Sequence, residues 1–341
     1  MNLNNIFKKV SGIALAGAIA FAGFAGTANA AAVPTGGNEA LTSAPAIQKE
    51  VTGGYFGGGE FKYTITAGTA PAYQGYIPRT SQANLITIGD GTIDIAAGQT
   101  TGSEQIEVNE DAVNAAQPGV YRYQIKEEAS GIAGMTDDNR TFDVDVFVTS
   151  DNGTGRKISY YIVSVDGQKA ELKFTNTLDL NDLTVSKIVT GNQADLDDEF
   201  NFSFTVTPAT GTTNTSIRYN YDGQENQDVT AGTAVNLENV GNGDEFVITG
   251  LAEGDQVSIV ETDDQNRGYT TTYTVDNGTA QNGTTASVTG ANSTVVFTNT
   301  RTAEIPTGLI ENIAPFVLAI AAAGVIFFVY FKRDKEEEQY A

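Results

Sequence analysis

The chain has 341 residues and a formal net charge of −23 at pH 7, from 42 acidic and 19 basic residues. So acidic a surface repels nucleic acid and anionic lipid. The chain contains no cysteine and no histidine, which excludes disulfides, a Cys-His pair, a Ser-His-Asp triad and the usual kind of zinc site.

The first 30 residues have the pattern of a secretory signal peptide. Lys8 and Lys9 form a positive start, the run Val10–Gly26 is mostly apolar, and Ala28-Asn29-Ala30 has the small residues of a cleavage site. An uncut buried or membrane helix is the alternative, but the apolar run is short and ends at this pattern. The sequence therefore predicts export, with a flexible lead over residues 31–46.

Between its two ends the chain is patterned for β-structure. Short runs rich in Val, Ile, Thr, Tyr and Phe alternate with Gly, Asn and Asp turn signals, and one short helix is indicated near residues 109–116. The segment Phe174-Thr175-Asn176-Thr177 recurs as Phe297-Thr298-Asn299-Thr300, each time after an alternating apolar run. We predict an all-β fold of two tandem Ig-like β-sandwich domains, residues 47–180 and 181–301.

Six polar side chains lie in the apolar phase of the predicted strands. Alternate residues of a strand face the same side of a sheet, so this phase predicts which residues face the core. Each domain directs one Lys, one Glu and one Asn inward, in the same chain order: Lys49, Glu127 and Asn176 in the first, and Lys187, Glu261 and Asn299 in the second. Such groups need partners, because burying them unpaired is costly.

Two arrangements would satisfy these buried groups. The first is a Lys–Glu ion pair with a hydrogen bond from the Asn. The second is chemical: in a dry pocket the Lys amine tends to lose its proton and the Glu carboxyl tends to keep one. A neutral amine is a nucleophile, and a protonated carboxyl can polarise the carboxamide and shuttle protons. The amine would then displace ammonia and leave a Lys–Asn isopeptide bond between the first and last strands of each domain.

Residues 302–341 have the pattern of a second targeting signal. A short tether leads to Glu304-Ile305-Pro306-Thr307-Gly308. The uncharged run Ile313–Phe331 is long enough, at about 1.5 Å per residue, to cross a bilayer core. Lys332, Arg333 and Lys335 follow it and would be retained inside. This pattern predicts a C-terminal transmembrane sorting helix.

With these motifs the chain resembles the two-domain major pilins of Gram-positive cocci, the T-antigen type with intramolecular isopeptide bonds. The Glu304–Gly308 segment is similar to the E-V-P-T-G sorting motif of that family, and Ala314-Pro315 opens the membrane segment as it does there. Further matches are Gly119-Val120-Tyr121, which leads to Glu127-Glu128, and the two F-x-N endings.

The resemblance implies a role for each matching residue. Lys49 and Asn176 would form one bond with Glu127 as catalyst, and Lys187 and Asn299 the other with Glu261. Lys169 would be the lysine that links one subunit to the next. Thr307 would be the residue whose carbonyl a sortase captures. Ile305 departs from the commoner L-P-x-T-G pattern, which points to a specialised pilus sortase.

These observations predict the structural shaft subunit of a pilus that is secreted, anchored in the cell wall and supports adhesion. Its partners would be a pilus-specific sortase, other copies of itself, tip or base pilins, and peptidoglycan, without nucleic acid, cofactor or metal. Its only chemistry would be autocatalytic formation of its own crosslinks. The alternative is a monomeric wall-anchored adhesin that binds a host ligand. A secreted hydrolase fits least, because the chain offers only scattered carboxylates.

Overall fold

The computed structural model describes residues 41–80, 84–151, 155–262, 267–290, 292–304 and 316–321. Almost all regular structure in these ranges is β-strand, which confirms the all-β prediction. The predicted signal peptide, the first part of the lead, and Ile305 to Gly308 lie outside them. Of the predicted membrane segment they include only residues 316–321, which are helical. Within the described ranges, no helix is both long and apolar enough to cross a membrane.

The first sandwich is built from residues up to Leu178. Its Val-, Ile-, Tyr- and Phe-rich runs alternate buried and exposed residues, which is the signature of strands covered on one face. Its elements are β1 (Ala46–Gly53), β2 (Gly59–Gly68), β3 (Ile86–Ile88), β4 (Thr92–Ile95), β5 (Thr101–Val108), α1 (Glu110–Ala115), β6 (Gly119–Glu127), β7 (Met135–Thr136), β8 (Thr141–Asp151), β9 (Gly155–Val165), β10 (Gln168–Lys169) and β11 (Lys173–Leu178).

The second sandwich begins directly afterwards, at Asn181. It contains no helix among its described residues, and its elements are β12 (Asn181–Thr190), β13 (Phe200–Thr207), β14 (Arg218–Tyr221), β15 (Gln224–Asp228), β16 (Val235–Val240), β17 (Glu245–Leu251), β18 (Gln256–Thr262), β19 (Thr270–Val275), β20 (Gln281–Asn282), β21 (Thr285–Thr289) and β22 (Ser293–Thr300).

Each sandwich consists of two sheets around one apolar core. In the first, a sheet of order β3-β5-β1-β11-β7 faces one of order β10-β9-β8-β6-β2-β4. In the second, the orders are β15-β14-β17-β12-β22-β19-β20 and β16-β13-β18-β21. In both, the first strand lies beside the last and runs parallel to it, β1 with β11 and β12 with β22. The chain therefore enters and leaves each sandwich through neighbouring strands.

The helix α1 forms where the sequence predicts it. The side chain of Asn109 caps it by accepting a hydrogen bond from the main-chain N–H of Ala112 at 3.1 Å. Glu110 and Asp111 add negative charge to its first turn, where the helix dipole favours it. Val113 is its buried anchor on the core.

Main-chain hydrogen bonds connect the first sandwich to the segment that precedes it and to the second sandwich. Leu41, in the predicted lead, exchanges two hydrogen bonds with Tyr161, at 3.0 and 2.8 Å. On the side of the second sandwich, Thr213 accepts from the N–H of Ala133 at 2.8 Å and donates to Gly131 at 3.0 Å. These last two bonds, with no spacer between β11 and β12, join the two sandwiches closely.

Candidate crosslink sites

The first predicted site lies in the core of the first sandwich. Lys49 comes from β1, Glu127 from the end of β6 and Asn176 from β11, and none of the three is more than 4% exposed. The Lys49 amine donates to Oε2 and Oε1 of Glu127, at 2.6 and 2.8 Å. The amide nitrogen of Asn176 donates to the same Oε1 at 2.6 Å. One carboxyl oxygen therefore contacts both nitrogens that an isopeptide reaction would exchange.

Aromatic rings shield this first site from water. The Lys49 amine lies 4.3 Å from the centroid of the Phe61 ring, and the rings of Tyr63 and Phe174 pack with their centroids 5.1 Å apart. This burial lowers the pKa of the Lys49 amine and raises the pKa of the Glu127 carboxyl. Both shifts favour the neutral amine and the protonated acid, the forms that attack and proton transfer require.

The second predicted site repeats the first in the other sandwich. Lys187 and Glu261 are buried, with Lys187 Nζ 2.9 Å from Glu261 Oε2. The amide nitrogen of Asn299 donates to the other carboxyl oxygen, Oε1. The Lys187 amine lies 4.1 Å from the centroid of the Phe200 ring, which takes the place of Phe61. The Lys–Glu–Asn arrangement is thus built twice.

The two sites also agree in strand register. The lysine lies opposite the phenylalanine that comes two residues before the asparagine, Lys49 opposite Phe174 and Lys187 opposite Phe297. The glutamate lies opposite an aromatic residue of the neighbouring strand, which is Tyr63 for Glu127 and Phe202 for Glu261. Equal register in two sheets means that both sites place their three groups by the same backbone geometry.

A repeat around each lysine was missed in the sequence. Lys49-Glu50-Val51-Thr52-Gly53 recurs as Lys187-Ile188-Val189-Thr190-Gly191. The closing glycines are required by geometry, since Gly53 and Gly191 have φ of +105° and +113°. A Cβ there would lie 2.0 Å from the carbonyl oxygen of Leu178 and 2.2 Å from that of Arg301. This K-x-V-T-G repeat would have identified Lys49 without any appeal to strand phase.

Two further groups at the first site, Asp137 and Asp138, are not indicated by the alternation of apolar residues in the strands. Asp137 and Asp138 belong to an acidic stretch, Asp137-Asp138-Asn139, that lies outside the alternating runs. Both contact the Asn176 carboxamide: Asp137 Oδ1 accepts from its nitrogen at 3.0 Å, and the main-chain N–H of Asp138 donates to its oxygen at 2.8 Å. They come from the turn between β7 and β8, where alternation does not apply.

The lysine expected to link subunits lies on the surface. Lys169 is exposed in the short edge strand β10, next to the turn Asp166-Gly167, and pairs in register with Ser164 of β9. Two other exposed lysines form surface ion pairs, Lys62 with Glu60 and Lys157 with Asp151. Thr307, its predicted partner, lies outside the described residues, as do Ile305, Pro306 and Gly308; Glu304 is described and exposed.

The geometry of both sites is suited to an amine–carboxamide exchange. The Lys nitrogen would form a bond to the Asn side-chain carbon, and the bond from that carbon to the amide nitrogen would break. One proton would pass from the Lys nitrogen through the Glu carboxyl to the departing nitrogen, and ammonia would leave. In the first site Glu127 Oε1 already contacts both nitrogens, so this transfer needs no movement of the carboxyl group there.

Comparison with known proteins places this geometry in context. Residues 45–179 match the Spy0128-like isopeptide containing domain, and residues 181–301 match a domain of unknown function, DUF7601. A pilin of Streptococcus pyogenes serotype M1 is 27% identical over 251 residues, which cover 68% of this chain and 72% of that protein.

Solved structures show the same fold. The major pilin T3.2 of Streptococcus pyogenes serotype GAS13637 aligns with a TM-score of 0.59 at 21% identity, over 77% of this chain and all of that one. A second major pilin of Streptococcus pyogenes aligns with a TM-score of 0.53 at 20% identity, over the same shares of the two chains.

The fold and the first matching domain are thus similar to those of structural pilins. The resemblance to the two-domain major pilins that the sequence predicts is confirmed by these matches.

Proposed function

We propose that this pilin is the repeating shaft subunit of a sortase-assembled pilus on the cell surface, anchored to peptidoglycan in the wall. Its domains would be Ig-like sandwiches over residues 47–180 and 181–301, preceded by a cleaved signal peptide. A pilus-specific sortase would join Thr307 of one subunit to Lys169 of the next, and tip or base pilins would complete the fibre. It would catalyse no reaction other than formation of its own crosslinks.

The observation that carries this proposal is the doubled Lys–Glu–Asn site. Lys49 with Asn176, and Lys187 with Asn299, would each be joined by an isopeptide bond, with Glu127 and Glu261 as catalysts. Because the chain has no cysteine, these bonds would supply the robustness that other exported proteins take from disulfides. Unlike a disulfide, an amide crosslink withstands reduction.

With this strand order, the two bonds would have a mechanical role. Tension that enters at Lys169 would pass along β11 and directly into β12, reach Lys187, cross its bond to Asn299, and leave through β22 towards Thr307. The rest of the second sandwich would be bypassed and could not be pulled open. The Lys49–Asn176 bond lies off this path, where it would hold β1 to β11 and stabilise the sandwich that carries Lys169.

Covalent assembly predicts a specific result on a denaturing gel. Wall material from cells that produce the chain should give a ladder of high-mass species that survives boiling, because each junction would be an amide bond. Deleting the pilus sortase should collapse the ladder to monomer. A single monomer band from cells with an intact sortase would instead support a monomeric wall-anchored adhesin.

A further inference from the structure

Hydrogen bonds hold both the nitrogen and the oxygen of the Asn176 carboxamide. Its nitrogen donates to Glu127 Oε1 at 2.6 Å and to Asp137 Oδ1 at 3.0 Å, and its oxygen accepts from the main-chain N–H of Asp138 at 2.8 Å. The nitrogen has two hydrogens, so both are engaged, each by a different carboxyl group. The orientation of the amide is therefore fixed before any reaction, with nitrogen and oxygen unambiguously assigned by their partners.

We propose that Asp137 is a second catalytic carboxyl group for the bond in the first sandwich, and that the main-chain N–H of Asp138 stabilises the charge that develops on the Asn176 oxygen. The inference rests on the proposed function, since it assumes that Lys49 and Asn176 react. The inference assigns a role to the turn between β7 and β8. Strand alternation predicts nothing about the side chains of this turn.

The two carboxyl groups have different environments and so different tasks. Glu127 is buried and contacts the Lys49 amine, and burial is the main cause that raises its pKa. The negative charge of Asp137 acts in the same direction, since a like charge nearby disfavours ionisation of Glu127. Glu127 is thereby suited to carry the proton, while half-buried Asp137 accepts a hydrogen bond from the leaving nitrogen at 3.0 Å.

The reaction balances without any outside reagent. The neutral Lys49 amine attacks the side-chain carbon of Asn176, and negative charge builds on the carboxamide oxygen, where the N–H of Asp138 faces it. Glu127 takes a proton from the Lys49 nitrogen and returns one to the Asn176 nitrogen. The carbon–nitrogen bond of the carboxamide then breaks, and ammonia departs from its site beside Asp137.

Asp138 and Arg140 position the turn for this task. The Asp138 carboxylate accepts from the N–H of Thr175 at 2.8 Å, next to Asn176 on β11. The Arg140 guanidinium binds the same carboxylate and also donates to the carbonyl of Lys173 at 2.8 Å. The turn is thus tied to β11 at two residues, Lys173 and Thr175, that come just before the reacting residue. These ties fix the Asp138 N–H and the Asp137 carboxyl relative to the carboxamide.

The second sandwich differs at the corresponding point. The oxygen of the Asn299 carboxamide is buried and, among the residues that the structure describes, has no hydrogen-bond partner. The amide of Asn299 is held through its nitrogen by Glu261. The bond of the second sandwich therefore serves as an internal reference for an experiment on the first, because Asp137 takes no part in it.

Asp137→Asn tests the inference. The full chain would be made by cell-free synthesis and quenched in acid at timed intervals, and the fraction of each crosslinked peptide pair would be measured by mass spectrometry. We expect the Lys49–Asn176 bond to form at least about 10-fold more slowly than in the wild type, because an amide replaces the carboxyl group that holds the leaving nitrogen. The Lys187–Asn299 bond should form at its wild-type rate. Asp94→Asn, an exposed change in the same sandwich, should alter neither rate.

Four outcomes separate the explanations. A Lys49–Asn176 bond that forms at the wild-type rate in Asp137→Asn overturns the inference and leaves the proposed function intact. Absence of that bond from the wild type itself removes the proposed function. A folding effect is tested in a Glu127→Gln background, where no bond should form: an equal melting temperature with and without Asp137→Asn supports the catalytic role, and unfolding of the first sandwich overturns it.

Discussion

The Glu127→Ala variant should keep Lys49 and Asn176 unjoined and should melt well below the wild type. Without the carboxyl group no proton passes from the attacking to the leaving nitrogen, so one ammonia of mass, about 17 Da, is retained. The crosslink closes a loop from Lys49 to Asn176, and loss of such a constraint costs about 5 kcal/mol by loop entropy. Lys49 is also left buried without its partner, which adds to the loss.

The effect would be measured by peptide mapping and thermal unfolding of the full chain. A loss of that size lowers the melting temperature of the first sandwich by about 10–20 °C. Glu128→Ala is the matched control, because Glu128 is the next residue and its side chain is exposed. It should keep the bond and the melting temperature. A Glu127→Ala chain that still contains the Lys49–Asn176 bond would show that another group is the catalyst.

Lys169→Ala should abolish the polymer while leaving the subunit folded. The thioester at Thr307 would need an exposed amine, and Lys49 and Lys187 are buried in the two sandwich cores. Lys169 is exposed on the edge strand β10, where a bulky sortase can reach it. The wall fraction should change from a boiling-resistant ladder to monomer, a loss of the whole high-mass series, and both internal crosslinks should remain.

Two other exposed lysines provide the controls for this experiment. Lys62→Ala and Lys157→Ala each remove a surface amine whose ion pair contributes little to stability. Both variants should retain the full ladder. A full ladder from Lys169→Ala would contradict the assignment, and tandem mass spectrometry of the Thr307 junction peptide would then identify the lysine that accepts it.

Strand phase located the residues of both candidate sites because the sites lie within regular strands. Lys49 shares a strand face with Ile47 and Val51, and Lys187 shares one with Val185 and Val189. All six residues are buried in the structure. A polar residue in an apolar phase is visible in the sequence alone. The all-β class followed from the same alternation, since period-2 patterns with glycine- and asparagine-rich turns leave little room for helices.

The pairing of strands could not be read from the sequence in the same way. β1 and β11 are parallel neighbours although more than a hundred residues separate them, and no local pattern encodes such a contact. Asp137 and Asp138 escaped notice for a related reason, because they act from an irregular turn that only the folded chain brings to Asn176. Within the strands, the K-x-V-T-G repeat marks both lysines independently of strand phase.

The intact mass of the full chain, made without a sortase, tests the central claim most directly. Each Lys–Asn bond releases one ammonia, so two bonds should make the chain about 34 Da lighter than its sequence, counted from its observed N-terminus. Fragmentation should place the deficits on the peptide pairs that contain Lys49 with Asn176 and Lys187 with Asn299. A mass equal to that of the sequence would contradict both bonds and leave two buried ion pairs in their place.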